Sequence, residues 1–183
     1  MSTYTAFLGQ ARLITAPLPE LLGEVKRHLD AAGEALPLLI FDDRSGEPVD
    51  FNFQGSLAQV LARHLPPDPA PLGKAPEGRE VRLLPRQWAW LDAQPGGASA
   101  ALRRMVDEQR KTGAGRERAR LATEATSRFL TTLAGELDGL EDVQRALYAK
   151  DRARFEALLF ASSWPEGISA HALYLAQPAF GED

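Results

Sequence analysis

Apolar positions keep two rhythms along this chain, and the change between them lays out its organisation. TYTAFLG (residues 3–9) and ARLITA (11–16) are short runs of strand-forming residues on either side of Gly9-Gln10, which predicts a hairpin. Leu18, Leu21, Leu22, Val25 and Leu29 then recur at three- and four-residue steps, predicting a helix over Leu18–Ala32. Pro19 suits its first turn and Gly33 its stop. Leu36 to Phe41 is a continuous apolar run, as in a buried strand. Val49, Phe51 and Phe53 alternate with Asp50 and Asn52, as in a half-buried one, and Asp43-Arg44-Ser45-Gly46 supplies the turn of a second hairpin. Ser56 caps a short helix through His64, with Leu57, Val60 and Leu61 on its apolar side.

The rhythm then stops. HLPPDPAPLGKAPEG carries prolines at 66, 67, 69, 71 and 76, which neither a helix nor a sheet interior accepts, so an extended tether is predicted over 66–79. Beyond it, Glu80–Leu84 reads as a short strand. One helix is predicted from Pro85 to the break Pro95-Gly96-Gly97, and a second after it, with Ser99 as its capping residue and Leu102, Met105 and Val106 as its apolar positions. Gly113-Ala114-Gly115 reads as a turn. Leu121, Ala125, Phe129, Leu130, Leu133 and Leu137 mark a long amphipathic helix ending near Gly139. Further helices are marked by Leu140, Val143 and Leu147, by Phe155, Leu158 and Leu159, and, after the turn Trp164–Gly167, by Ala172, Leu173 and Leu175. The expected fold is α+β: an N-terminal α+β domain over 1–65, a linker over 66–79, and a mostly helical domain over 80–183.

Composition adds little to this, and charge adds more. With 183 residues, 44% apolar and 25% charged, the chain can bury a proper core. It has no cysteine, so disulfides, thiolate metal sites and a cysteine nucleophile are excluded. MSTYTAFLGQARLITAP lacks the basic start and apolar core of a signal peptide, and no apolar run is long enough to span a bilayer, so a cytoplasmic protein without membrane contact is expected. The net charge of −4 is unevenly spread. Residues 79–128 hold 11 Lys/Arg against 6 Asp/Glu, net +5, between flanks of net −4 (1–78) and −5 (129–183).

That basic middle contains the most suggestive chemistry. A helix that starts on glycines presents free backbone N–H groups and a partial positive charge, which suit a phosphate, and Arg103 and Arg104 add full charges on its first turns. The plain alternative is a helical hairpin with solvated arginines. Asp42, Asp43, Glu47 and Asp50 crowd one predicted hairpin, but their spacing is not that of a calcium loop, and Asp and Gly are ordinary turn residues. His28, His64 and His171 are isolated, without metal-ligand spacing or a Ser–Asp pair for a triad. Trp88 and Trp90 lie two apart on one helix and cannot share a face. One is expected in the core and the other as an exposed anchor for a protein partner.

EVRLLPRQWAWLDAQPGGASAALRRMV, a short strand, a helix, a glycine turn and a helix beginning with Ser and Ala-Leu-Arg-Arg, resembles the ribbon-helix-helix family of bacterial repressors. The resemblance implies a homodimer whose paired strands, Glu80–Leu84, lie in the major groove of double-stranded DNA, with Gly97, Ala98 and Ser99 holding backbone phosphates. The strand departs from the family pattern: with Leu84 in the last apolar slot, Glu80 and Arg82 fall on the buried face while Val81 and Leu83 face the DNA. Either the strand carries a bulge or the ribbon is not a reader, and Arg82 is the one plausible base contact. At larger scale, YTAFLG, LLIFDDRSGEPVDF, EVRLLPRQWAWLDAQPGGASAALRRMVDE, EATSRFLTTLAGEL and WPEGISAHALYLA make the whole chain resemble the uncharacterised bacterial family known as domain of unknown function 2239, which implies no activity.

These readings point to a non-enzymatic, DNA-binding regulator of transcription that acts as a homodimer on double-stranded DNA through Arg82, Gly97, Ala98, Ser99, Arg103 and Arg104, with no catalytic residue, metal or cofactor. The alternative is a protein-interaction adaptor using Trp88 or Trp90. Limited proteolysis is expected to cut first between Pro66 and Gly78. A first cut elsewhere would remove the tether from this scheme.

Overall fold

A computed structural model describes residues 3–31, 37–65 and 80–181, the side chain of Thr112 apart. Four short strands form one antiparallel sheet: β1 (Tyr4–Leu8), β2 (Ala11–Ala16), β3 (Leu38–Asp42) and β4 (Glu47–Pro48), in the order β2-β1-β3-β4. Both faces of the sheet are covered, and strand alternation sets which residue serves which face. Ala6, paired with Ile40 across the β1–β3 ladder, packs with Leu21 and Val25 of α1 (Leu18–Ala31). Phe7 and Phe41 point the other way, toward helices from the far end of the chain. The β1–β2 register shifts between Ala6 and Phe7, so that Ala6 faces Ile14 while Phe7 faces Arg12, and Leu13 opposes no residue.

The second hairpin is shorter than its sequence suggests. Only Glu47 and Pro48 pair with β3, and Val49 adds one bond to the Ile40 carbonyl (2.7 Å) before the ladder ends; Val49–Phe53 is not a strand. Pro48 has no N–H to extend the pairing. Side chains of α2 (Leu57–His64) hold the segment instead. Arg63 donates to the Asn52 carbonyl (2.7 Å), His64 Nε2 accepts the Asn52 N–H (3.0 Å), and Phe51 packs edge-on against Tyr4. Ser56 caps α2 as expected: its hydroxyl accepts the Gln59 N–H and the Gln59 amide oxygen accepts the Ser56 N–H, a reciprocal capping box.

The chain divides into two compact units, Met1–Pro67 together with Arg118–Asp183, and Asp68–Glu117. The division runs differently from a cut at 66–79, a stretch that itself lies outside the described residues. In the larger unit the sheet and the last helices share one core. Phe7 and Phe41 pack with Phe129 and Leu130 of α4 (Gly97–Leu133), Leu147 of α5 (Leu140–Tyr148), Phe155 of α6 (Arg152–Ala161) and Ile168 of α7 (Glu166–Ala176), and a short 3₁₀ turn, Gln177–Phe180, closes it. A sheet with two apolar faces cannot be a domain on its own, and these helices supply its second cover.

A further difference lies in α4. It runs unbroken for 37 residues, so Gly113-Ala114-Gly115 is helical rather than a turn. Glycine weakens a helix by about 1 kcal/mol relative to alanine without forbidding it, and the ion pair Arg120–Glu124 supports the turn that follows. The helix stops at Leu133, short of Gly139. Gly139 instead takes a left-handed conformation (φ 88°) that starts α5. Among the described residues no helix is long and apolar enough to cross a membrane.

The β3–β4 turn presses on α4. Gly46 is buried at φ 70°, and a Cβ there would run into the backbone of Ala125; beside it Arg128 donates to the Ser45 carbonyl (2.9 Å). Gly46→Ala is therefore expected to lower stability to chemical denaturation by about 3 kcal/mol or more, from backbone strain and overlap together. Gly9→Ala, also at positive φ (57°) but with nothing within 4 Å, should lose only about 1 kcal/mol. Equal losses would mean that the turn does not bear on the helix.

Candidate functional site

The Asp68–Glu117 unit, described from Glu80 onward, holds every residue singled out for nucleic acid. Glu80–Leu84 carries no strand. A single short segment has no neighbour to pair with, and its backbone stays irregular. α3 (Pro85–Asp92) follows with proline at its first position, and the Gln87 amide oxygen accepts the Leu84 N–H (2.8 Å). Gly96 and Gly97 both adopt positive φ (85° and 74°), the Gly97 N–H donates to the Gln94 carbonyl (2.9 Å), and α4 begins at Gly97. Ser99 thus sits inside the helix and does not cap it, because the two glycines make the turn by backbone alone. The ribbon-helix-helix resemblance is not borne out: the ribbon strand is absent, and the second helix is 37 residues long.

The structure places Gly97, Ala98 and Ser99 on the first turn of α4, with Arg103 and Arg104 exposed just beyond. The two arginines differ in what they do. Arg104 donates to the Pro95 carbonyl (2.8 Å) and so ties α4 back to the turn. Arg103, like Arg82 and Arg86, pairs with no side chain among the described residues. Apolar exposure is the stronger feature. Leu91 is buried (4% exposed), whereas Trp90 (54%), Trp88, Val81, Leu84, Met105 and Val106 all meet solvent. Neither tryptophan is core; Leu91 takes that role. A groove of about 320 Å³ runs between α3 and α4, floored by Leu91, Leu102 and Met105 and bordered by Trp90 and Arg86.

The larger unit holds a second constellation, whose members lie far apart in sequence. Asp43 follows β3 and His171 lies on α7, both inside the core, at 6% and 0% side-chain exposure. His171 Nε2 stands 3.3 Å from Asp43 Oδ1, within ion-pair distance but without the alignment of a hydrogen bond, so neither that oxygen nor either ring nitrogen has a hydrogen-bond partner. Asp43 Oδ2 accepts from the Thr5 hydroxyl (3.1 Å), which in turn meets the Thr15 hydroxyl (2.8 Å). The imidazole is packed by Phe7, Phe129 and Tyr174, with Tyr174 stacked at 5.6 Å. A cavity of about 590 Å³ opens at this point, lined by Asp43, Arg44, Arg118, Leu121, Tyr174 and Leu175 among others. Asp43 had passed as a turn residue and His171 as an isolated histidine. The one local sign is a histidine in the mostly apolar run ISAHALYLA. Among the described residues no three His, Asp or Glu side chains gather as a metal site requires.

Over residues 3–176 the sequence matches a family described as an uncharacterized protein conserved in bacteria, domain of unknown function 2239. The chain belongs to this family. No curated protein and no solved structure matches it. In this member of family 2239 the end-to-end match takes in both the Asp43–His171 pair and the α3–α4 hairpin.

The unequal roles of the two arginines are testable. Arg104→Ala should speed amide exchange around residues 94–98 by a few-fold, as expected for one charge-assisted bond worth about 0.5–1 kcal/mol at an exposed site. Arg103→Ala should leave exchange there unchanged. Equal effects would mean that Arg104 does not hold the turn.

Proposed function

We propose that the protein is a non-enzymatic, DNA-associated regulator that acts as a homodimer through its Asp68–Glu117 unit. The observation that carries this reading is the pairing, on one small hairpin, of a large uncovered apolar surface with unpaired cations: Trp88, Trp90, Met105 and Val106 beside Arg82, Arg86 and Arg103. Two functions divide between them. The apolar residues gain stability only by leaving water, which a polyanion does not provide, so they are assigned to a second copy of the chain. The arginines are assigned to phosphates, supplemented by the N-terminal turn of α4 at Gly97, Ala98 and Ser99.

Charge supports a modest affinity. The unit holds 9 Lys/Arg against 7 Asp/Glu, net +2, so a dimer doubles a small field. Arg104, engaged with Pro95, contributes position more than contact, and Arg103 becomes the principal phosphate ligand. A protein-interaction adaptor is the second reading, favoured by the groove beside Trp90, where an apolar segment with acidic flanks would fit between Met105 and Arg86.

Light scattering at micromolar concentration should give a dimer, and Met105→Glu with Val106→Glu a monomer. Binding to random duplex DNA should weaken steeply between low and moderate salt, and Arg103→Ala should flatten the dependence of log affinity on log salt by about one unit. A wild-type protein that shifts no duplex at low salt ends the DNA reading. A dimer without DNA binding, or a monomer that captures an acidic amphipathic peptide through Trp90, leaves the adaptor.

A further inference from the structure

The Asp43–His171 pair plays no part in that proposal. A buried polar group without a hydrogen bond costs about 1–3 kcal/mol, and among the described residues His171 Nδ1 has none, while Asp43 Oδ1 and His171 Nε2 meet at 3.3 Å without the alignment of one. An apolar core would have been cheaper at this position, since the surroundings, Phe7, Phe129 and Tyr174, are aromatic. Buried groups of this kind call for an explanation, and a partner from outside the chain is one. The adjoining cavity reaches this place, because Asp43 is both a member of the pair and one of its lining residues.

The chemistry of the lining describes the ligand. A carboxylate offers about four acceptor positions, and the Thr5 hydroxyl is the one hydrogen-bond donor to Asp43's side chain. A donor group, above all a cationic one, therefore suits the buried end. Arg44, next in sequence and exposed, makes no side-chain bond among the described residues and suits an anionic group at the mouth. The rest of the lining is mostly apolar, Leu121, Ala122, Leu175, Pro178 and the Tyr174 ring, with Thr3, Arg118 and Gln177 beside them. At about 590 Å³ the space is that of a small metabolite.

We propose that this cavity binds a small zwitterion with an apolar body, of the class of free aliphatic or aromatic α-amino acids, its ammonium group on Asp43 and its carboxylate on Arg44. Binding would give the buried carboxylate a full counter-charge and cover the apolar wall in one step. His171 acts as a positioning residue, holding the Asp43 carboxyl from behind within the aromatic cage.

The test uses the whole protein and thermal unfolding with L-leucine, L-phenylalanine or L-methionine at 10 mM. At least one should raise Tm by about 3–6 °C, as a roughly tenfold excess over Kd does for a chain of this size. For the amino acid that does so, the matched carboxylic acid without the amine and the matched amine without the carboxylate should give no shift. Isothermal titration with Asp43→Asn should show at least a tenfold loss of affinity, and with Arg44→Gln, on the exposed rim, a similar loss in a protein that folds normally. If Asp43→Asn does not fold, Arg44→Gln and the two analogues decide. No shift with any of the three amino acids, equal shifts from the analogues, or full affinity in Arg44→Gln would overturn the proposal.

Discussion

Three phenylalanines drawn from distant parts of the chain hold the larger unit together. Phe7 from β1, Phe41 from β3 and Phe129 from α4 form a closed triangle, with ring centres 6.0, 5.5 and 5.1 Å apart, and all are fully buried. Each such ring contributes roughly 1.5–3 kcal/mol by leaving water, and edge-to-face contacts add to that. The triangle makes a β-sheet with two apolar faces tolerable, because α1 covers one face and α4 to α7 the other. Phe41 and Phe129 meet in it although the Asp68–Glu117 unit lies between them in sequence. Closing a loop grows dearer only with the logarithm of its length, so an inserted segment is a small burden beside the contacts its ends make.

The same triangle borders a polar problem among the described residues. His171 packs on Phe7 and Phe129, and Asp43 reaches it from the end of β3. Both lie there because of the scaffold: Asp43 is the first residue past Asp42, where the strand leaves the sheet, and His171 is one turn after Ile168 on the buried side of α7. Large aromatic neighbours keep water from the imidazole. The Thr5–Thr15 hydroxyl pair steers one carboxylate oxygen and leaves the other unengaged. A fold that needed only stability would place a leucine at 171.

Periodicity made most of the secondary structure legible. The first hairpin, α1, α2 and the three C-terminal helices α5, α6 and α7 all stand where their apolar spacing put them, and Ser56 and Gln59 announced the start of α2 through their capping chemistry. What failed was local inference at glycine, proline and isolated strands. Gly113 and Gly115 looked like punctuation but are carried by the helix around them. Pro48 cut short a strand whose alternation continued to Phe53. Glu80–Leu84 has strand composition and no strand to pair with. The partition of the chain was illegible for a different reason: nothing in the spacing of Phe7 or Phe41 says that their face awaits Phe129. The Asp43–His171 site was hidden in the same way, since its halves meet only through tertiary packing.

The two ends of α4 pose opposite requirements on one helix. From Ala119 onward its buried residues, Ala125, Phe129 and Leu130, lie on one stripe, as a helix packed on a core requires. From Arg103 to Lys111 every residue is exposed, apolar Met105 and Val106 included. Exposed turns gain nothing from burial, and short helices left to propensity are marginal in water. Charged residues alone could keep that stretch solvated, as on any surface helix. Met105 nevertheless lines the groove beside Trp90, and Val106 is exposed next to it. At 105 and 106 this exposed stretch carries a thioether and a β-branched side chain in place of polar groups, so its solvation rests on the charged residues around them.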